Sequence, residues 1–191
     1  NTAALIKAIR YAEDNGASIC NLSLTSPTND QALYCAIRDS SMLFVAAAGN
    51  DGKDIDRTPV YPASYELDNV ISAANISCGG ELHESSNYGV GSVDLAAPGS
   101  YILSTTPGNT YSYMTGTSMA APMVTGAAAM VWSHFDGIGA AEVKEILLNS
   151  VTPLDSLSGK VKTGGMLNVG AALRYDLGTL SGKAFEAGGH R

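Results

Sequence analysis

The run Met42-Leu43-Phe44-Val45-Ala46-Ala47-Ala48 contains no polar residue, so a strand built from it has no face suited to water. Such a strand belongs inside a parallel sheet, covered by helices on both faces. The run stops at Gly49-Asn50-Asp51-Gly52, a loop by composition. The rest of the chain supplies the covering layers. Asn1 or Thr2 can cap a helix through Asp14 that ends at Gly16, and Asn29 or Asp30 can cap a second one. Ser18 to Leu24, Val70 to Ala74, Val93 to Ala96 and Tyr101 to Thr105 read as further strands. Thr117 to His134, Ala140 to Ser150 and Val169 to Arg174 read as helices. Strands alternating with helices predict an α/β fold, a parallel sheet flanked by helices. Ligands in such folds bind at the carboxyl ends of strands, where Asn50 lies.

Composition narrows the function classes. With 45% apolar and 15% charged residues over 191 positions, the chain is long enough and apolar enough to bury a core. A net charge of −7 argues against nucleic acid as a partner. No apolar run reaches the roughly 18 residues of a membrane span. The nearest, Met119 to Trp132, carries Pro122 and Thr125 and reads as a core helix. Cys20, Cys35 and Cys78 form no C-x-x-C pair, so neither a zinc knuckle nor a redox motif is expected, and buried structural thiols are. Asn21-Leu22-Ser23 and Asn75-Ile76-Ser77 match the glycosylation triplet, a pattern common by chance.

Two segments carry chemistry together that neither carries alone. Ser118 lies in Gly116-Thr117-Ser118-Met119-Ala120-Ala121-Pro122, at the start of the small-residue helix. A helix start presents unpaired N–H groups and the positive end of the helix dipole. Both favour the oxyanion that forms when a hydroxyl attacks a carbonyl. A serine there is ordinarily a cap, and Gly-Asn-Asp-Gly is ordinarily a turn. A strand-end asparagine facing a helix-start serine is instead what acyl transfer needs.

These residues resemble the subtilisin-like serine proteases, the subtilases. Gly116-Thr117-Ser118-Met119-Ala120-x-Pro122 resembles that family's nucleophile signature, and Val45-Ala46-Ala47-Ala48-Gly49-Asn50 the strand bearing its oxyanion-hole asparagine. Asn21-Leu22-Ser23-Leu24 is similar to its substrate-binding edge strand. Tyr61-Pro62-Ala63 is similar to the turn where the family often has a cis peptide. Asp94-Leu95-Ala96-Ala97-Pro98-Gly99 and Leu167-Asn168-Val169 follow in the family's order. The resemblance implies a serine endopeptidase acting on peptides or proteins, with Ser118 as nucleophile and Asn50 as oxyanion donor. Ser23, Leu24 and Thr25 would pair with substrate, and Ala48 and Gly49 would line the pocket beside the scissile bond. It also implies secretion or a cell-surface location. Members often bind calcium, but no ligand cluster is readable here, so no cofactor is expected.

The chain departs from the family in three ways. Thr25 stands where many relatives have glycine. Ala121 and Met123 replace the residues that usually follow the nucleophile motif. The larger departure is that neither the Asp-Ser/Thr-Gly turn nor the His-Gly-Thr helix is present, so the catalytic Asp and His are missing. None of His83, His134 and His190 is placed to replace them. The expected fold is therefore subtilisin-like but incomplete. Residues 1–177 form the C-terminal portion of a catalytic domain, and 178–191 a flexible polar tail. Such a portion is expected to be inactive alone, with an upstream segment or companion chain supplying Asp and His. A non-catalytic peptide-binding or structural descendant of the same fold is the alternative.

Overall fold

The apolar run is the second strand of a six-stranded sheet in the computed structural model, which describes residues 1–181. The strands are β1 (Ile19–Leu22), β2 (Leu43–Ala47), β3 (Val70–Ile76) and β4 (Leu95–Pro98), then β7 (Thr152–Pro153) and β8 (Gly165–Met166). A separate two-stranded ribbon is made by β5 (Ile102–Thr106) and β6 (Thr110–Met114). The main sheet runs β1-β2-β3-β4-β8-β7. Its strands are parallel except for β7, which lies antiparallel to β8. Among the described residues, β1 pairs on one side only, which leaves its outer edge open.

Both faces of the sheet are covered, as the run predicts. Every residue of β2 is buried. Leu43, Val45 and Ala47, with Ile71, Ala73, Leu95 and Ala97, pack against α3 (Thr117–His134) and α4 (Ala140–Asn149). Phe44 and Val70 face the other way and pack with Ile9 of α1 (Thr2–Asp14) and with Leu33 and Ile37 of α2 (Gln31–Arg38). Side chains of one strand alternate between faces, so the single run serves both layers. Local signals fix the helix starts. The Asn1 side chain accepts the Ala4 N–H at 3.0 Å, and Asp30 Oδ1 accepts those of Ala32 and Leu33 at 2.9 and 3.2 Å. At the N-terminal ends of the strands, buried Asp94 accepts the Ser72 N–H at 2.9 Å. It also lies 3.7 Å from Lys144 Nζ and 3.6 Å from Lys162 Nζ. Burial pushes the Lys144 ammonium below its ordinary pKa, against the pull of Asp94.

Several expectations are corrected. Val93 and Asp94 precede their strand, because Asp94 turns inward to its two lysines. Tyr101 to Thr105 belongs to the ribbon, shifted by one residue, and not to the parallel sheet. Within the segment expected as a tail, Leu180 is buried in the α4 core, and Ser181 N–H donates to Glu145 at 2.8 Å. Residues 182–191, with His190, lie outside the described residues. Cys78 is exposed, not buried, while Cys20 and Cys35 are half-buried and all three are free. Burial raises the Cys20 thiol pKa. Asn75 is fully buried, which rules out its glycosylation triplet.

Candidate active site

Helix α3 begins beneath the carboxyl ends of β1 and β2, and both ends are tied to its first two residues. Asn50 lies just beyond β2, and its Oδ1 accepts the Thr117 N–H at 2.8 Å and the Thr117 hydroxyl at 3.0 Å. Gly116 has no side chain to cap the helix, so Asn50 does so from a distance. With Oδ1 engaged, the Asn50 Nδ2 amide is left on the exposed side, unpartnered among the described residues. The Thr117 hydroxyl also accepts the Gly49 N–H at 3.1 Å.

The other tether uses the proline of the motif. Pro122 has no N–H to give to the carbonyl four residues earlier, which is that of Ser118. That carbonyl accepts the Ser23 hydroxyl at 2.9 Å instead. Ser23 Oγ in turn accepts from Asn21 Nδ2 at 2.8 Å, and Asn21 Oδ1 accepts the Thr125 hydroxyl at 3.0 Å. Ser118 is half-buried in the first turn of α3, where backbone N–H groups lack partners inside the helix. Its position needs one glycine in particular. A methyl group on Gly99 would sit 2.6 Å from the Gly116 carbonyl oxygen and 2.7 Å from Asn75 Oδ1. The Gly116 N–H meanwhile donates to the Gly99 carbonyl at 2.9 Å.

Ser118, Asn50, Gly49 and Ser23 therefore form one hydrogen-bonded cluster. Leu24 and Thr25 follow Ser23 as exposed residues, and Ala48 is buried. Leu24 borders a hollow of about 320 Å³ with Leu5, Leu33 and Tyr61, and the Tyr61–Pro62 peptide beside it is cis. No histidine joins the cluster among the described residues. His83 Nδ1 pairs with Ser85 Oγ at 2.9 Å. His134 ends α3, about 24 Å from Ser118 by helix rise, and its ring packs on Phe135. The described residues likewise contain no His/Cys/Asp/Glu group able to hold a metal ion.

One contributor escapes a sequence reading. Asn87 is fully buried and holds the loop after β2 from below. Its Nδ2 donates to the Ala48 carbonyl at 2.9 Å, and its Oδ1 accepts the Asp51 and Lys53 N–H groups, both at 3.0 Å. Its own N–H donates to the Gly49 carbonyl at 2.9 Å. Gly49 has φ +100°, and any Cβ there would collide with Asn87 Nδ2. In the sequence, Asn87-Tyr88-Gly89 is an ordinary turn, because its partners lie 34 to 39 residues away. Asn87→Ala leaves the buried Ala48 carbonyl unpaired and removes the acceptor of the Asp51 and Lys53 N–H groups, so it is expected to cost about 1–3 kcal/mol. A urea titration should show a lower midpoint with an unchanged slope; an unshifted midpoint would refute the clamp.

The subtilase family model matches residues 1–170. Subtilisin-like protease 2 of Plasmodium falciparum is 37% identical over 187 residues, covering 92% of this chain and 14% of that protein. Subtilisin DY of Bacillus licheniformis is 37% identical over 175 residues, covering 88% of this chain and 61% of its own length. The chain therefore spans only part of the relatives it matches. The solved structure of the prenylagaramide maturation protease PagA superposes with a TM-score of 0.78 at 30% identity, covering 91% of this chain and 67% of that one. A Bacillus subtilis protein, 38% identical over 161 residues covering 79% of this chain and 50% of its own, is named a major intracellular serine protease.

Proposed function

The chain belongs to the subtilase family, and from that premise we propose that it is the nucleophile-bearing portion of a serine endopeptidase. The observation that carries the reading is the convergence of Asn50 and Ser23 on the first turn of α3, around Ser118. In this reading the Ser118 hydroxyl oxygen attacks a peptide carbonyl as its proton passes to a histidine base. The oxyanion so formed is held by Asn50 Nδ2 and the Ser118 N–H, aided by the dipole of α3. Return of that proton to the amide nitrogen releases the amine product. Water then repeats the sequence on the acyl-enzyme and frees the acid. Ser23, Leu24 and Thr25 line one wall of the substrate cleft, and Ala48 and Gly49 the other.

The base and its orienting aspartate come from a further segment or a companion chain. Two features support that source. The outer edge of β1 is unpaired among the described residues. On α3, beside that edge, Pro122, Met123, Gly126, Ala129 and Met130 are exposed, an apolar helix face in water. No helix among the described residues is long and apolar enough to cross a membrane.

A fluorophosphonate probe tests the reading, because it phosphonylates, with loss of fluoride, only a serine that a base has activated. Residues 1–191 alone are expected to stay unlabelled, and the full-length protein to be labelled and to hydrolyse an unfolded protein substrate. A full-length protein that is neither labelled nor active would overturn the assignment in favour of a peptide-binding descendant.

A further inference from the structure

The β5–β6 ribbon turns to water the face that its composition would bury. Its strands pair Leu103↔Tyr113 and Thr105↔Tyr111, so these four side chains share one face. Ile102, Thr106 and Ser112 lie on the other face and are half-buried. An antiparallel ribbon ordinarily packs its large apolar side chains on the core and leaves polar ones in water. Here Leu103, Tyr113 and Tyr111 are 53%, 66% and 70% exposed. Tyr101, at the base of the ribbon, is 80% exposed as well. No charge relieves this surface. Between Leu95 and Phe135 there is no Asp, Glu, Lys or Arg, although 15% of the whole chain is charged.

Size and place select the occupant. A tyrosine covers roughly 150–250 Å² when buried, so this face and Tyr101 together leave about 400–600 Å² uncovered. A patch of that size is at the upper end for a monomer, where such patches are often functional. It falls short of the roughly 800 Å² that each partner brings to a stable dimer. Strands of five residues make the face about 17 Å long, the span of five residues of an extended chain. The base of the ribbon is fastened to the start of α3. The Gly116 N–H donates to the Gly99 carbonyl at 2.9 Å, and the Tyr101 N–H to the Thr115 hydroxyl at 2.9 Å. Ser118 follows Met114, the last residue of β6, by four positions. Ser23 holds the same helical turn through the Ser118 carbonyl, so the ribbon and the Ser23 segment are tethered to it independently.

On the proposed endopeptidase reading, we infer that the tyrosine face of the ribbon is an exosite for the leaving-group portion of an extended polypeptide substrate, beyond the residues next to the scissile bond. The acyl portion occupies Ser23, Leu24 and Thr25, and the ribbon is the other exposed surface fastened to the nucleophile's helix. Its ligand is a neutral segment carrying aromatic, proline or aliphatic side chains, because the face offers rings and hydroxyls and no charge. These contacts are the same before and after attack, so they lower KM and leave kcat alone. Unfolded polypeptides, which can lay five extended residues on the face, are then preferred over short peptides.

The test uses the full-length protein and two fluorogenic substrates with one acyl sequence. The short one ends in a fluorogenic amide at the scissile bond. The long one is an internally quenched peptide that continues for about ten residues, with tyrosine, phenylalanine and proline in its downstream half. Tyr111→Thr combined with Tyr113→Thr removes the rings and keeps strand-forming residues in exposed positions. This variant should raise KM for the long substrate by about 10- to 100-fold with kcat unchanged. Both constants for the short substrate should stay within about twofold of the parent. Tyr111→Phe with Tyr113→Phe should keep the parent KM, and added salt should not alter the long-to-short ratio, since no charge takes part. A KM for the long substrate unmoved by the threonine variant would overturn the inference. So would an equal loss on both substrates, which would place the tyrosines in the fold. A parent dimer that the threonine variant dissociates would give the face to a second copy instead. Any of these results, in a parent enzyme that cleaves the short substrate and is labelled by fluorophosphonate, leaves the endopeptidase reading intact. Absence of both cleavage and labelling in the parent would remove that reading and this inference together.

Discussion

Ser118→Ala is expected to lower peptide hydrolysis by the full-length protein roughly 10⁶-fold, the scale on which removing the nucleophile acts in a subtilisin. The fold should not notice. No hydrogen bond to the Ser118 hydroxyl is present among the described residues, and both tethers at this point use backbone groups or Thr117. Alanine is also the best helix former, so stability should stay within about 0.5 kcal/mol of the parent. Two measurements on one preparation separate the roles: a thermal melt that stays in place and a turnover that vanishes. A variant that keeps more than a small fraction of the parent rate would remove Ser118 from the chemistry.

Asn50→Ala is expected to cost about 10²–10³ in kcat with KM little changed, the range for loss of one oxyanion donor in a subtilisin. The effect falls on kcat because the donor meets negative charge that exists only after attack. Asn50 also caps α3 through its Oδ1, so the alanine variant should lose about 1 kcal/mol of stability as well. Asn50→Asp separates these contributions. The carboxylate still accepts from Thr117, and its charge suits a helix N-terminus, but it replaces the free amide donor with a negative oxygen. The aspartate variant should therefore hold its melting temperature and lose at least as much turnover as the alanine variant. A variant that regained activity together with stability would make Asn50 a helix cap and nothing more.

Helix α3 is predicted to its end residues, because Gly116 starts it and its small apolar residues leave one role, burial. β2 is predicted because a strand with no polar face has one place to go. The β5–β6 ribbon is half missed. Leu103, Tyr111, Tyr113 and Met114 are all exposed, so its strands lack the buried face whose alternation would have announced them. β7 and β8 are two residues each, too short for any periodicity. They exist because β4 offers an edge.

The site divides in the same way. Ser118 and Asn50 are legible as motifs, since each sits in a local run that is unusual in itself. Their coupling through Thr117 joins residues 67 apart and belongs to the fold. Pro122 looks like a helix defect in sequence, but its missing N–H frees the Ser118 carbonyl for Ser23.

On the proposed reading, Ser118 and Asn50 gain activity only with a base from elsewhere. Mass-spectrometric location of the fluorophosphonate adduct tests it most directly. Full-length protein should carry the adduct on the peptide containing Ser118, and residues 1–191 alone should carry none. An adduct on another serine, or a labelled Ser118 in the isolated chain, would contradict it.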